Sequence, residues 1–317
     1  MLVSAPARID LSGGAADIFG KCTLCSAITL RAYCKIEPSD TFSIHIEGTP
    51  VSLDAVPILK AVIARANPNF TAKISVYSDI PPQSGLGGSA SISVALMYGI
   101  HILSHREPNL YEIAELTQRA ETDAGMLNGY QDWYAAAFGG VLFLDFQKKC
   151  NNPIDKEPYA TVEDLSDYME LQVVVADSQV THSSSLSNTL LYQKYMNGST
   201  RIVSLIDRLD TITREAKKAV VHRDLEKLAG IIKENQEIIR KLGRSTPENE
   251  LLIDAAYRGG AVACKVTGAG HGGCIAALCS GEKNYKSVKD ALCEVTDAVY
   301  PVRVDKGVLR MDNGENI

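Results

Sequence analysis

Three clusters of residues in this chain have the types and spacing to handle a charged ligand. The run Pro82-Gln83-Ser84-Gly85-Leu86-Gly87-Gly88-Ser89-Ala90 crowds glycines and hydroxyls into one turn. Glycine lets backbone N–H groups turn inward and approach a ligand closely, and the free N–H groups of a helix start favour negative charge. A polyphosphate suits such a turn. The second cluster is Lys265-Val266-Thr267-Gly268-Ala269-Gly270-His271-Gly272-Gly273, too rich in glycine to serve a core; by itself it suits a flexible hairpin as well as a ligand loop. The third opens the chain: Ala5-Pro6-Ala7-Arg8, followed by Gly13-Gly14-Ala15-Ala16-Asp17. A further carboxylate, in Gln131-Asp132-Trp133-Tyr134, sits beside two aromatics and needs a partner if it is buried in charged form.

The elements that must position these residues can be read from periodicity. Ile74, Val76, Tyr77 and Ile80 mark a short strand that two prolines end. Ile92, Ala95, Leu96, Gly99 and Leu103 recur at helical spacing, so the first cluster joins a strand to a helix. A Walker loop is excluded, because no Lys occurs between residues 81 and 103. The permissive dinucleotide fingerprint is met by Gly85, Gly87 and Ala90, with Glu107 about twenty residues further on. Its context does not fit, since residues 109–120 read as a second helix where a parallel strand is required. Residues 147–167 are polar and broken, as expected of a domain connection. Residues 170–177 read as a buried strand, and 199–243 as two or three amphipathic helices. Ser245-Thr246-Pro247-Glu248 has the composition of a helix start, with that helix running to about Arg258.

At 317 residues and 45% hydrophobic composition, the chain is long enough for two cores. The formal charge of −6 argues against a general nucleic-acid or acidic-membrane surface, so an anionic ligand must be held locally. Met1 leads directly into the strand-like Leu2-Val3-Ser4-Ala5 with no secretory signature, and no apolar run approaches a membrane span. Cytoplasmic residence is the expectation. Eight cysteines in such a chain are expected to be reduced and buried, and Cys22-Thr-Leu-Cys25 lacks the further ligands of a zinc site.

Taken together, and in this order, the three clusters resemble the motifs of the GHMP kinase superfamily (galactokinase, homoserine kinase, mevalonate kinase and phosphomevalonate kinase). The resemblance covers nearly the whole chain. One departure is Gly88, which stands where those loops have a first serine. The stretch Gly129-Tyr130-Gln131-Asp132, with Gly13 to Asp17, is similar to the glucuronokinase-like and heptose 7-phosphate kinase-like sugar kinase branch.

The resemblance implies an α+β protein of two domains. An N-terminal ATP-binding domain of the ribosomal protein S5 domain 2-like type would span residues 1–150, and a C-terminal ferredoxin-like domain 165–317. It implies an enzyme that uses ATP and Mg²⁺ to phosphorylate a hydroxyl of a sugar or sugar acid. Pro82, Ser84, Gly85, Leu86, Gly87, Gly88, Ser89 and Ala90 would bind ATP, and Gly268, Ala269, Gly270, His271 and Gly272 would close over its phosphates. Ser89 and Glu121 would hold the metal. Asp132 would orient or deprotonate the hydroxyl, with Arg8 offsetting charge; Arg cannot give up its proton, so its role is electrostatic. Asp17, Gln131, His182 and Ser183 would meet the acceptor. Two alternatives stand beside this reading: an isoprenoid-pathway kinase acting on mevalonate or a phosphomevalonate, mevalonate 3-phosphate included, and a non-catalytic sensor on the same fold. A phosphorylated acceptor would need further cations, for which Arg31, Lys35, Lys194 and Arg201 are candidates. A monomer or homodimer is expected.

Overall fold

The computed structural model describes residues 1–147, 149, 159–180 and 184–311. Twelve strands are described: β1 (Leu2–Ser12), β2 (Thr23–Pro38), β3 (Ser43–Ile46), β4 (Thr49–Val51), β5 (Ala72–Ser78), β6 (Val141–Asp145), β7 (Thr161–Asp164), β8 (Gln172–Asp177), β9 (Ala263–Val266), β10 (Cys274–Cys279), β11 (Val299–Val302) and β12 (Leu309–Met311). They form two sheets. The larger runs β12-β1-β2-β5-β3-β4, with β6 pairing β2 and β7; the smaller runs β11-β8-β10-β9 and is antiparallel throughout. Helices α1 (Pro57–Ala66), α2 (Gly88–Leu103), α3 (Leu110–Asp123) and α4 (Gln131–Phe138) accompany the larger sheet. Those that follow are α5 (Ser184–Met196), α6 (Thr200–Val221), α7 (Leu225–Lys241), α8 (Pro247–Arg258) and α9 (Glu282–Cys293). The architecture is the expected two-part α+β fold.

Strand β1 explains why chemistry gathers at the junction. It is covered on both faces, by α2 and α4 on one side and by α6 and α7 on the other, so ten of its eleven residues are buried. Side chains alternate along a strand. Ala7, Ile9 and Leu11 join one hydrophobic core, while the charged Arg8 and Asp10, which must find ionic partners, lie in the opposite phase.

The helices follow their sequence signals. Ile202, Ile206, Leu209 and Ile212 form the buried stripe of α6, and Thr246 and Asn249 close a reciprocal capping box at the start of α8, with Pro247 in its first turn. Two expectations need adjusting. The segment expected to be only a connection contains β7, which extends the larger sheet through β6 because Val162 and Ala160 pack into its core. Cys293 is exposed at the end of α9, whereas Cys22, Cys25, Cys34, Cys264, Cys274 and Cys279 are free thiols and buried as expected; Cys150 lies outside the described residues. Burial pushes the Cys22 and Cys25 thiols well above their ordinary value, which suits packing and not redox or metal chemistry. Among the described residues, no helix is long and apolar enough to cross a membrane.

Candidate active site

A cavity of about 990 Å³ opens where the two sheets meet. One part of its wall is apolar, with Ile46, Val56, Pro57, Leu59, Val76 and Ile80; another carries Arg8, Asp17, Glu121, Gln131 and Asp132. Between them runs the glycine turn, residues 82–90, all of which line the space. Helix α2 starts inside this turn. Its N-cap is Gly87, in a left-handed conformation and with no side chain to cap the helix, so the N–H groups of the first turn keep their capacity for a ligand.

The second glycine run packs directly on the first. A Cβ on Gly268 would come within 2.5 Å of the Gly85 carbonyl, and one on Gly85 would come within 2.8 Å of the Thr267 carbonyl; both residues have positive φ. Only glycine permits this approach. Cys274 N–H donates to the Ser84 carbonyl at 2.8 Å, which pins β10 to the turn. Gly268 and Ala269 line the cavity, so the run closes one side of it.

What holds that run in place is a buried cluster that sequence reasoning missed. Asp10 and Lys265 form an ion pair with both side chains 2% exposed. The Asp10 carboxylate also accepts from Thr267 Oγ1 at 2.8 Å and from Gly268 N–H at 2.6 Å. Burial alone would raise its pKa; Lys265, then Arg8, and these hydrogen bonds hold it below the usual carboxylate range. The signal available in the sequence was an Asp in a strand that otherwise reads as core.

Arg8 and Asp132 meet at the mouth of the turn. Arg8 Nε donates to Asp132 Oδ1 at 2.8 Å, and Arg8 Nη1 donates to the Gly85 carbonyl. Burial works to lower the guanidinium pKa, but Asp132 and Asp10 keep it above its ordinary value. Asp132 lies in the first turn of α4, where a negative charge is favoured. That turn is fixed from outside by Asp17, whose Oδ2 accepts from Tyr130 N–H at 2.7 Å and from Gln131 N–H at 3.1 Å. The close approach requires Gly129, since a Cβ there would fall 1.9 Å from Asp17 Oδ2. Burial pushes the Asp17 carboxyl up to about 6, with Asp132 adding to the shift and the two N–H groups opposing it.

Glu121, on α3, completes the group. Ser89 Oγ donates to Glu121 Oε1 at 3.2 Å. Burial, and then Asp132, push the Glu121 carboxyl up to about 7. A carboxylate and a hydroxyl form an oxygen donor pair suited to Mg²⁺, and a divalent cation there would relieve the crowding of Glu121 against Asp132. The residues fit the ion. The turn likewise fits a polyphosphate.

Of the residues singled out in the sequence, Arg8, Asp17, Pro82, Ser84 to Ala90, Glu121, Gln131, Asp132, Gly268 and Ala269 all line this one cavity. Gly270, His271 and Gly272 are not among the residues that line it. His182 and Ser183 fall outside the described residues. Of the four extra cations, Arg31 is bound to Asp305, Lys35 to Glu37, and Arg201 to the Lys241 carbonyl; none of these, nor Lys194, lines the cavity. Asn188, which does line it, and Arg244 beside it went unnoticed, because neither belongs to a glycine run.

The chain matches two family models, "GHMP kinases N terminal domain" over residues 55–140 and "GHMP kinases C terminal" over residues 216–298. It is 25% identical to the mevalonate kinase of Pyrococcus abyssi, across 98% of each chain. It is 27% identical to the D-glycero-alpha-D-manno-heptose 7-phosphate kinase of Campylobacter jejuni, across 90% of this chain and 91% of that one. In fold it is similar to the Lin0012 protein of Listeria innocua, with a TM-score of 0.86 at 18% identity, covering 98% of this chain and 99% of that one.

Proposed function

The chain belongs to the GHMP kinase superfamily, an ATP- and Mg²⁺-dependent phosphotransferase group, and on that premise we propose that it phosphorylates a hydroxyl of a sugar or sugar acid. The observation that carries this reading is the convergence of Arg8, Asp132, Ser89 and Glu121 on the glycine turn. Phosphoryl transfer asks mainly for positioning and for charge stabilisation. Backbone N–H groups of residues 85–89 hold the phosphates, and the 268–272 loop covers them. Ser89 and Glu121 hold Mg²⁺, which when bound spreads the charge of the transferred group. Asp132 accepts a hydrogen bond from the attacking hydroxyl and takes up its proton, while Arg8 holds Asp132 in orientation through the Nε–Oδ1 contact. The apolar wall with Val56, Pro57 and Leu59 suits a nucleobase.

For the acceptor, Asp17, Gln131, His182 and Ser183 are the proposed contacts. A sugar-type acceptor is supported by the Gly129 to Asp132 stretch, locked to Asp17, and by the likeness to the heptose phosphate kinase. A second reading, a kinase of mevalonate or a phosphomevalonate, is favoured by the end-to-end match to the archaeal mevalonate kinase. Residues 1–150 and 165–317 are taken as the two domains of a cytoplasmic monomer or homodimer, with the end of the second returning through β12 to pair with β1 of the first. ATP consumption over a panel of sugars, uronic acids, heptose phosphates and mevalonate derivatives, with phosphorus NMR of the product, tests the proposal. A new ester on a sugar or sugar acid supports it; turnover of mevalonates alone selects the second reading; silence across the panel favours a non-catalytic sensor.

A further inference from the structure

The second glycine run is held at its far end by a side chain from another element, Asn249 in the first turn of α8, which is fully buried. Its Oδ1 accepts from Gly272 N–H at 3.2 Å, and its Nδ2 donates to the Gly273 carbonyl at 3.2 Å. The same Oδ1 accepts from Thr246 N–H at 3.3 Å, which closes the capping box. A backbone N–H can only donate and a carbonyl can only accept, so the amide has one orientation. A capping box asks for no more than an acceptor at this position, which Glu supplies as well as Gln. Asn249 presents a donor too, and among the described residues only the Gly273 carbonyl takes it up. Helix capping leaves that second contact unexplained.

The hydrogen bonds of the run give the contact a purpose. Thr267 N–H donates to the Cys274 carbonyl, Gly268 N–H to Asp10, His271 N–H to the Arg244 carbonyl, Gly272 N–H to Asn249, Gly273 N–H to the Val180 carbonyl and Cys274 N–H to the Ser84 carbonyl. Among the described residues, only the N–H groups of Ala269 and Gly270 in this stretch meet no protein acceptor. Two adjacent free N–H groups suit an anion, and Ala269 lines the cavity. Gly273 in turn rests on the first glycine turn, since a Cβ there would fall 2.6 Å from the Ser84 carbonyl. Asn249 thus fixes the point where the covering run lies on the phosphate turn. We propose that Asn249 is a positioning residue for the phosphates of ATP: by clamping Gly272 and Gly273 it holds the run in place before the ligand arrives, with Ala269 and Gly270 N–H left to bind. A run built in advance loses less freedom on binding. This rests on the kinase reading above and deepens it by naming a residue, remote from the ligand, that sets nucleotide affinity.

The test compares wild type, Asn249→Asp and Thr246→Ala. Each is measured for the Kd of a non-hydrolysable ATP analogue with Mg²⁺ by calorimetry, for ATP KM and acceptor KM, and for melting temperature. Asn249→Asp keeps the shape and the acceptor that the helix cap needs but loses the donor to Gly273. Thr246→Ala weakens the cap and leaves the amide on the glycine run. The expected result in Asn249→Asp is an analogue Kd and an ATP KM raised about tenfold, near the worth of one hydrogen bond, with acceptor KM within about twofold. In Thr246→Ala the melting temperature falls, while both nucleotide values stay within about twofold of wild type. Unchanged nucleotide values in Asn249→Asp, or an equal rise in both variants, overturn the assignment and leave the kinase reading intact. If wild type binds the analogue yet transfers phosphate to no acceptor, the kinase reading fails and the analogue Kd alone decides on Asn249 by the same comparison. If wild type does not bind the analogue, both fall. If Asn249→Asp does not fold, Asn249→Ser takes its place: a raised analogue Kd upholds the assignment, and an unchanged one overturns it.

Discussion

Arg8 Nε donates to Asp132 Oδ1 at 2.8 Å while the same guanidinium holds the Gly85 carbonyl, so one buried cation ties the first turn of α4 to the glycine turn. Their side chains are 5% and 26% exposed: the cation is sealed in, and the carboxylate keeps a face toward the cavity. Arg8→Lys keeps the charge but cannot reach both partners with a planar fork. We expect kcat to fall about 10- to 100-fold with little change in thermal stability. Steady-state kinetics beside a melting curve checks this.

The Ser89 and Glu121 pair is the proposed metal site. Glu121→Gln and Ser89→Ala each remove one oxygen ligand or its charge. Each is expected to raise the Mg²⁺ concentration for half-maximal turnover by about tenfold, near the cost of one charge-assisted contact. A Mg²⁺ titration at saturating ATP reads the shift. An unchanged titration in both variants would remove these residues from the metal site.

Asp17 gives a pH dependence whose sign is fixed by its burial. Its folded pKa of about 6 lies above the ordinary 3.8, so the folded state holds a proton that the unfolded state has released. Stability from this group is present below about pH 4 and is lost as pH rises through about 6. Asp17→Asn removes that dependence and keeps an oxygen for Tyr130 and Gln131. Relative to the variant, the wild type should lose up to about 3 kcal/mol over this window. Urea unfolding of both proteins from pH 4 to 7.5 measures the difference, and parallel curves would refute it.

The Asp10 and Lys265 pair separates stability from loop positioning. Asp10→Asn leaves a buried ammonium without its counter-charge and should cost about 3–5 kcal/mol. Combined with Lys265→Met, most of that stability returns. The Gly268 N–H has still lost its carboxylate, so ATP KM stays raised in the double variant. Melting temperature and ATP KM, taken together across the cycle, test this; a double variant with normal ATP KM would leave the pair a purely structural role.

That the glycine runs, Arg8 and Asp132 belong together was legible in the sequence, the runs from their local composition and the two charged residues from the ordered family motifs they sit in; the structure brings them to one cavity. The helices were legible for a similar reason, as Thr246-Pro247 and the α6 stripe carry local signals. Asp10 and Arg244 were not, because each acts through partners more than fifty residues away, Lys265 for the one and Asn188 for the other. Strand β7 was hidden by the polar text around it; its pairing is decided by β6. Asp17 was read as an acceptor contact, and only the fold reveals that its carboxylate also fixes the start of α4.

The most direct test of the central claim is the rate of γ-phosphate transfer in a single turnover, followed by phosphorus NMR, for the wild type and Asp132→Asn with ATP, Mg²⁺ and an accepted acceptor. The account predicts transfer by the wild type. In the variant it predicts a rate lower by about a hundred- to ten-thousandfold, with ATP KM within about twofold. Transfer by Asp132→Asn at the wild-type rate would contradict it.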